Sequence, residues 1–344
     1  MTATELSQGQ SRRVALFELY GSHLAAFAAD HLILEIGYDT GESVFTPPSA
    51  DLYICPLCLH VFHRGAPNDL ADPCLLTVED VPPRSVTRGV PKTRLLTCKK
   101  CNNTLGTDAE SDLEAALALR DLRPGHKDGH RKCTLQTSHA AVHAHLVIGE
   151  DRAHQFRVVG DASASGREGF FSDLRKELRF AVSMRGSHHA ETGAALLKAA
   201  YLLAFASFGY SYVFSTPSMH EVRTRIANSG TPSPIDSGIV QFEGLPSGLT
   251  GPSISIVQAP TTLQSILVTL TLRRKEGDPH VVGVFLPGPD DTSLDLYATL
   301  ADRAMARHEI QGTVLLAPAP GAQIPLRNPA ARHALHHEWH RLLG

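Results

Sequence analysis

Apolar residues recur at helical spacing in some parts of the chain and form short continuous runs in others. The most apolar helical stretch covers residues 190–208, and its apolar side chains surround much of the helix circumference, which predicts a core helix of a larger domain. Further helices are predicted over residues 108–122, 171–183, 295–308 and 330–343. Residues 12–36 are apolar with a mixed period that fits either a helix or a strand.

Short apolar runs bounded by Gly, Pro and Asp predict strands, most of them in the second half of the chain. These runs cover residues 140–148, 155–159, 239–242, 253–258, 265–272, 281–286 and 313–316. The composition of residues 39–50 predicts a turn-rich connection, and that of residues 123–132 predicts a polar, basic linker or exposed loop. The pattern predicts an α+β chain with three parts: a segment 1–52 that packs on the core, a cysteine module at 53–124, and a mixed α/β domain of unknown role at 134–344.

The composition limits where the chain is expected to act. Apolar residues make up 42% of its 344 residues and charged residues 19%, so most of it can bury a core. No apolar run approaches the roughly 20 residues that span a bilayer, and the N-terminus lacks the zones of a signal peptide. We therefore expect a cytoplasmic protein with no membrane partner. The net charge of −3 excludes a general polyanion binder, so nucleic-acid contact requires a local basic patch.

Four of the six cysteines form two CxxC pairs. Cys55 and Cys58 are followed, after 39 residues, by Cys98 and Cys101. A redox CxxC motif stands alone between a strand and a helix, whereas four thiolates in two pairs match the tetrahedral demand of a structural zinc ion. The spacing therefore predicts that these four cysteines bind one Zn²⁺.

The residues between and after the two pairs carry a family resemblance. Over residues 53–122 the chain resembles the HNH (ββα-metal, His-Me finger) endonucleases of the four-cysteine type. Besides the two cysteine pairs, the matching residues are Leu76, Thr77, Glu79, Val81, Pro82, Pro83, Leu96, Asn102 and Gly106. The resemblance implies a small ββα-metal module and a metal-dependent endonuclease that hydrolyses DNA phosphodiester bonds. By analogy of arrangement, such a module fused to a large domain is typical of a regulated bacterial defence effector.

The resemblance also assigns roles to three residues. Glu79 and Asn102 take the places of the ligands of a catalytic divalent cation, for which Mg²⁺ or Mn²⁺ is suited. Asp80 occupies the place of the histidine that activates water. A carboxylate is a weak base at neutral pH, and three states are open. Asp80 acts as base or third ligand, a histidine such as His60 or His63 substitutes for it, or the module has decayed and only binds nucleic acid or a protein partner.

A basic stretch lies beside the proposed metal site. Residues 81–107 contain no acid and six cations, which are Arg84, Arg88, Lys92, Arg94, Lys99 and Lys100. Such residues neutralise phosphates independently of sequence, and without aromatic residues for stacking on single strands the pattern favours duplex DNA. The alternative is a solvated loop.

Elsewhere the motifs are weak. There is no phosphate-binding glycine loop, Ser-His-Asp signature or HExxH motif. His126, His130 and Cys133 have metal-ligand spacing, but an exposed loop is the preferred interpretation. A homo-oligomer and a regulatory protein partner both remain open.

Overall fold

The computed structural model describes sixteen segments of the chain. They are residues 3–30, 35–38, 41–44, 52–63, 75–90, 92–121, 130–148, 154–158, 164–177, 179–184, 189–214, 218–242, 252–275, 277–288, 294–302 and 311–316. The helices in these segments are α1 Ala3–Asp30, α2 Lys99–Arg120, α3 Ala164–Glu177, α4 His189–Phe208, α5 Tyr210–Val213, α6 Ser218–Ala227 and α7 Asp295–Ala301. The strands are β1 Glu35–Tyr38, β2 Gly41–Val44, β3 Leu52–Ile54, β4 Val61–His63, β5 Leu76–Val81, β6 Thr93–Cys98, β7 His130–Gln136, β8 Ala141–Ile148, β9 His154–Val158, β10 Ala181–Met184, β11 Ile239–Phe242, β12 Ser253–Ala259, β13 Ser265–Leu272, β14 His280–Leu286 and β15 Gln311–Leu316.

The strands form three hairpins and two larger sheets. The hairpins are β1–β2, β3–β4 and β5–β6, and the sheets have the orders β10-β7-β8-β9 and β11-β14-β13-β12-β15. Every pairing between these strands is antiparallel. Helices and antiparallel sheets in one chain confirm the predicted α+β class.

Two hydrophobic cores organise these elements. The larger one joins α1, the β3–β4 and β5–β6 hairpins, α4 and the five-stranded sheet, with Tyr20, Tyr53 and Leu197 among its fully buried side chains. The smaller one lies between the four-stranded sheet and α3, around Leu135 and Phe170. The domain borders at 53–124 and 134–344 stay a prediction. The larger core contains residues from both of these predicted domains.

The core helix predicted at 190–208 is confirmed as α4, which ends where Gly209 adopts a positive φ of 67°. Its surroundings hold the cysteine region in place. The Tyr201 hydroxyl donates to the Pro56 carbonyl at 3.0 Å, and the Tyr210 hydroxyl donates to the Ile54 carbonyl at 2.7 Å. Buried tyrosines thus satisfy backbone groups of the first cysteine turn while they fill the core.

Several element boundaries differ from the sequence-based expectation. Helix α2 begins at Lys99 rather than near residue 108, because the Cys98 side chain caps it by accepting from the Cys101 amide. The helix predicted at 171–183 ends at Glu177, and residues 181–184 pair with β7 as an edge strand. The expected linker at 123–132 ends in the first residues of β7, and the connection at 39–50 contains β2.

The remaining predicted elements are mostly confirmed. The expected strands at 140–148, 155–159, 239–242, 253–258, 265–272, 281–286 and 313–316 all appear within two residues of their predicted bounds. Helix α7 covers the first half of the expected 295–308, and residues 303–310 and 330–343 lie outside the described residues.

Candidate metal centre and the charged residues beside it

The first cysteine pair sits on the turn between β3 and β4. The Leu59 amide donates to the Cys55 carbonyl and the Cys55 amide donates to the His60 carbonyl, both at 2.9 Å. Leu59 has a positive φ of 61°, which closes the turn tightly. The turn therefore presents Cys55 and Cys58 on one side of a short hairpin.

The second pair sits where β6 ends and α2 begins. The Cys101 amide donates to Cys98 Sγ at 3.3 Å, and the Cys98 amide donates to Cys55 Sγ at 3.4 Å. Backbone amides of a helix N-terminus favour negative charge. This environment suits sulfur atoms in the thiolate form, which is the form that binds metals.

The fold brings the four sulfur atoms together. They all lie within 4.8 Å of one another, and the Sγ atoms of Cys58 and Cys98 are 3.6 Å apart. Zinc–thiolate bonds of about 2.3 Å in a tetrahedron place neighbouring sulfurs about 3.8 Å apart, so the cluster fits this ion. Three of the cysteines are buried and Cys58 is exposed. The four predicted ligands thus form one site that can hold a metal ion such as zinc.

Glu79 lies on β5 and points into the main core. Its side chain is 5% exposed, Oε2 accepts from Thr97 Oγ1 at 2.6 Å, and Oε1 lies 2.6 Å from Lys198 Nζ. Lys198 extends from α4 and is 3% exposed. Both carboxylate oxygens of Glu79 are therefore engaged by groups of the chain itself.

Lys198 is shared between two acids. Its Nζ also donates to Glu110 Oε1 of α2 at 3.2 Å. Burial alone would lower the Lys198 pKa, but the charges of Glu79 and Glu110 outweigh burial and raise it. Desolvation by burial raises the Glu110 pKa, against the lowering effect of Lys198. The charges of the two acids therefore favour the protonated form of Lys198 beside Glu79.

Asp80 faces the opposite side of the β5–β6 hairpin. Its Oδ2 accepts from Lys92 Nζ at 2.6 Å and its Oδ1 accepts from Arg94 Nε at 2.9 Å. Partial burial would raise the Asp80 pKa, but the hydrogen bonds and charges of Lys92 and Arg94 outweigh it and lower the pKa. A carboxylate with a lowered pKa is a still weaker general base.

Asn102 lies on the same face as Glu79. Its Nδ2 donates to Thr77 Oγ1 at 3.0 Å, and Thr77 precedes Glu79 by two positions on β5. Residues two apart in a strand share a face, whereas adjacent residues do not. The structure thus brings Glu79 and Asn102 to one side of the hairpin and places Asp80 on the other. The catalytic roles assigned to these three residues stay a prediction.

The six predicted nucleic-acid-binding cations differ in their surroundings. Arg84, Arg88 and Lys100 are exposed, and Lys99 is half-buried. Lys92 and Arg94 are committed to Asp80. The exposed part of the basic stretch is therefore the loop after β5, which carries Arg84 and Arg88, together with Lys100 at the start of α2.

Of the four histidines considered from the sequence (His60, His63, His126 and His130), the structure describes the side chain of His60. His60 is exposed in the first cysteine turn, with its ring edge-to-face against Phe62 at 5.0 Å. The side chains of His63 and His130 and the whole of His126 lie outside the described residues. Cys133 is buried in β7 and donates to the Ala144 carbonyl at 3.4 Å, as a structural thiol does.

Sequence inspection missed two features. One is Lys198, whose signal was that it is the only charged residue in the apolar stretch 193–208, since a buried charge needs a partner. The other is a group of His139, Asp173 and Glu177 near α3, whose ligand atoms lie within 4.8 Å of one another. Asp173 and Glu177 are four residues apart on one helix, but His139 comes from the β7–β8 turn, so its proximity arises only in the fold.

No protein-family model matches the chain, and comparison with curated proteins and with solved structures gives no match. In the part of the chain that the structure describes, no helix is both long and apolar enough to cross a membrane.

Proposed function

We propose that the chain is a zinc-stabilised, HNH-like protein that binds the phosphate backbone of duplex DNA and does not cleave it. That the chain does not cleave DNA is inferred from one buried ion pair, in which Glu79 Oε1 lies 2.6 Å from Lys198 Nζ. A catalytic divalent cation needs a carboxylate oxygen together with open positions for water and phosphate. In this chain a protonated lysine occupies the position beside the carboxylate.

The other acid supports the same conclusion. Asp80 is neutralised by Lys92 and Arg94 and lies on the face of the hairpin opposite Glu79. Both oxygens of the Asp80 carboxylate accept hydrogen bonds from these two cations, so this acid is not available as a base. Neither acid of the pair is thus placed for hydrolysis.

Binding is supported by the exposed cations of the module. Arg84, Arg88 and Lys100 are exposed, and no acid occurs between residues 81 and 107. Each phosphate that a cation neutralises releases condensed counterions, which gives affinity that falls steeply with salt. Zinc contributes by fixing the hairpin that carries these cations to the start of α2.

Metal-dependent DNA hydrolysis is the second candidate. It is favoured by one arrangement, namely the β5–β6 hairpin followed by α2 with Glu79 and Asn102 on the same face. This function requires that Lys198 Nζ leaves Glu79 so that Mg²⁺ or Mn²⁺ can enter.

The two candidates separate in a plasmid-nicking assay run beside a binding assay. We expect the zinc-loaded chain to bind a fluorescein-labelled 20-base-pair duplex and to leave supercoiled plasmid intact with either Mg²⁺ or Mn²⁺. Arg84→Gln with Arg88→Gln should lower the slope of log K against log salt by about 1.8, because two phosphates would no longer be neutralised. Arg175→Gln with Lys176→Gln on α3 is the matched control, because both residues are exposed and lie outside the module.

Two results would overturn the proposal. Nicking that Glu79→Gln abolishes would establish the second candidate. A chain that neither nicks nor binds the duplex, or that binds polyglutamate as tightly as the duplex, would exclude nucleic acid as the partner.

A further inference from the structure

The loop after β5 is joined by backbone hydrogen bonds to a turn far away in sequence. Thr87 forms a parallel bridge with Arg273, at the end of β13. The Arg273 amide donates to the Val86 carbonyl at 2.6 Å, and the Arg88 amide donates to the Arg273 carbonyl at 3.1 Å. Backbone hydrogen bonds thus join the cysteine module to the segment that directly follows β13.

We infer that the turn at residues 273–275 forms, with Arg84 and Arg88, one composite phosphate-binding surface. Arg273 and Lys275 are exposed, as are Arg84 and Arg88. Because bridged backbone segments lie about 4.8 Å apart, the side chains of Arg88 and Arg273 start from neighbouring points. Duplex DNA presents one charge per about 1.7 Å of helix axis, so cations on adjacent segments can engage nearby phosphates. This inference rests on the proposed DNA binding and extends it to a second element.

A hydrogen bond and two ion pairs connect the described residues of the turn to their surroundings. Arg273 Nε donates to the Gly277 carbonyl at 3.3 Å. Arg274 Nη1 lies 3.6 Å from Asp121 Oδ2, and His280 Nε2 lies 3.0 Å from Asp121 Oδ1. A preorganised cation loses less side-chain entropy when it binds.

The local charge balance favours an anion as the partner. Asp121, at the end of α2, is committed to Arg274 and His280. The other acid that the structure describes in this turn is Asp278, which is exposed. The sequence also places Glu276 in this turn, so the four exposed cations (Arg84, Arg88, Arg273 and Lys275) outnumber the two remaining acids of the turn.

Paired substitutions on the full zinc-loaded chain test the inference. Arg273→Gln with Lys275→Gln keeps the first two methylene groups of each side chain and removes two charges. The association constant varies as the salt concentration to a power of about −0.9 for each neutralised phosphate. At 0.1 M salt, affinity for the 20-base-pair duplex should therefore fall about 8-fold for each phosphate that is no longer neutralised. The salt slope should fall by about 0.9 for each such phosphate. Lys275→Gln alone serves as a second variant if the double variant does not fold.

The outcomes distinguish this inference from the proposed function. If the wild-type chain binds, and Arg84→Gln with Arg88→Gln weakens binding while the turn variants match the Arg175→Gln with Lys176→Gln control, the inference fails and the proposed function stands. If the wild-type chain does not bind, both fail. A reduced salt slope for both the loop and the turn pairs supports the composite surface.

Discussion

Glu79 Oε1 lies 2.6 Å from Lys198 Nζ, and this contact links β5 of the cysteine module to the middle of α4. Both side chains are almost fully buried. Removal of two charges from water costs several kcal/mol per ion, and the pair is tolerated because each charge is neutralised and hydrogen-bonded. In the same contact the Lys198 ammonium group occupies the position where a metal ion would bind Glu79. The ion pair therefore bears on both the stability of the fold and the proposed lack of cleavage.

Removal of the lysine should therefore destabilise the fold strongly. We expect Lys198→Met to lower the free energy of unfolding by about 3–5 kcal/mol, because the buried Glu79 and the half-buried Glu110 would lose their counter-ion. The measurement is urea denaturation in the presence of zinc. The exposed Lys176→Met on α3 is the control and should change stability by less than about 0.5 kcal/mol.

A double-mutant cycle isolates the pair itself. Glu79→Gln with Lys198→Met should cost less than the sum of the two single changes, with a coupling of about 1–3 kcal/mol. Additive single effects would show that the two charges do not depend on one another.

The zinc prediction can be tested without any assay of function. Elemental analysis of the purified chain should find one zinc per molecule, and Cys58→Ser should remove it. Cys133→Ser should retain it, because Cys133 is buried in β7 within the smaller core and is not part of the four-sulfur group. Chelation should lower the melting temperature, since binding of a structural zinc is part of the folding free energy. Zinc retained by Cys58→Ser at full stoichiometry would contradict the four-cysteine assignment.

The sequence predicted the cysteine cluster and α4 because each depends on a local or regular pattern. Two CxxC pairs specify a tetrahedral ligand set by residue type alone, and continuous apolar positions define a core helix. The surroundings of Glu79, in contrast, do not follow from a local or regular sequence pattern. Lys198 is 119 positions away in the chain, and nothing local to either residue indicates that they meet.

The placement of Asp80 was the main difference within the site. The resemblance groups Glu79, Asp80 and Asn102 as one site, but strand geometry alternates side chains between faces. The register pairs Asp80 with Arg94, so the hairpin itself supplies its counter-ion. Strand alternation was available from the sequence, whereas the register and the facing helix were not.

Asp80 should contribute stability that depends on pH. Because Lys92 and Arg94 hold the folded-state pKa of Asp80 below its usual value of 3.8, the contribution is fully present above that value and disappears as pH falls through the folded pKa. We expect Asp80→Asn to cost about 1 kcal/mol, as a partly exposed pair does. The cost should be constant from about pH 8 to pH 5 and should shrink towards pH 3.

The measurement compares wild type and Asp80→Asn at each pH by denaturation. Acid also weakens zinc–thiolate binding, but this effect is common to both proteins and cancels in the difference. A difference that grows as the pH falls would contradict the ion pairs with Lys92 and Arg94.

The same substitution should tighten DNA binding. Asp80→Asn releases Lys92 and Arg94 from their carboxylate, so we expect affinity at 0.1 M salt to rise by up to about 8-fold for each cation that gains a phosphate, with a steeper salt slope. Glu168→Gln on α3 removes the same charge from an exposed position and is the control for net charge. Weaker binding by Asp80→Asn than by that control would place Asp80 among the groups that hold the partner.

Asp80→His separates a decayed nuclease site from one that is closed by the fold. If the module lacked only its histidine, this substitution would be expected to restore nicking. The side chain at position 80 faces Lys92 and Arg94, however, whereas Glu79 faces Lys198 and Thr97. Lys198 would still occupy the position beside Glu79, so Asp80→His alone admits no cation there. We therefore expect no Mg²⁺- or Mn²⁺-dependent nicking from Asp80→His while Lys198 is present. Nicking by Asp80→His that Glu79→Gln abolishes would show that a metal ion displaces Lys198 from Glu79, and it would establish the second candidate function.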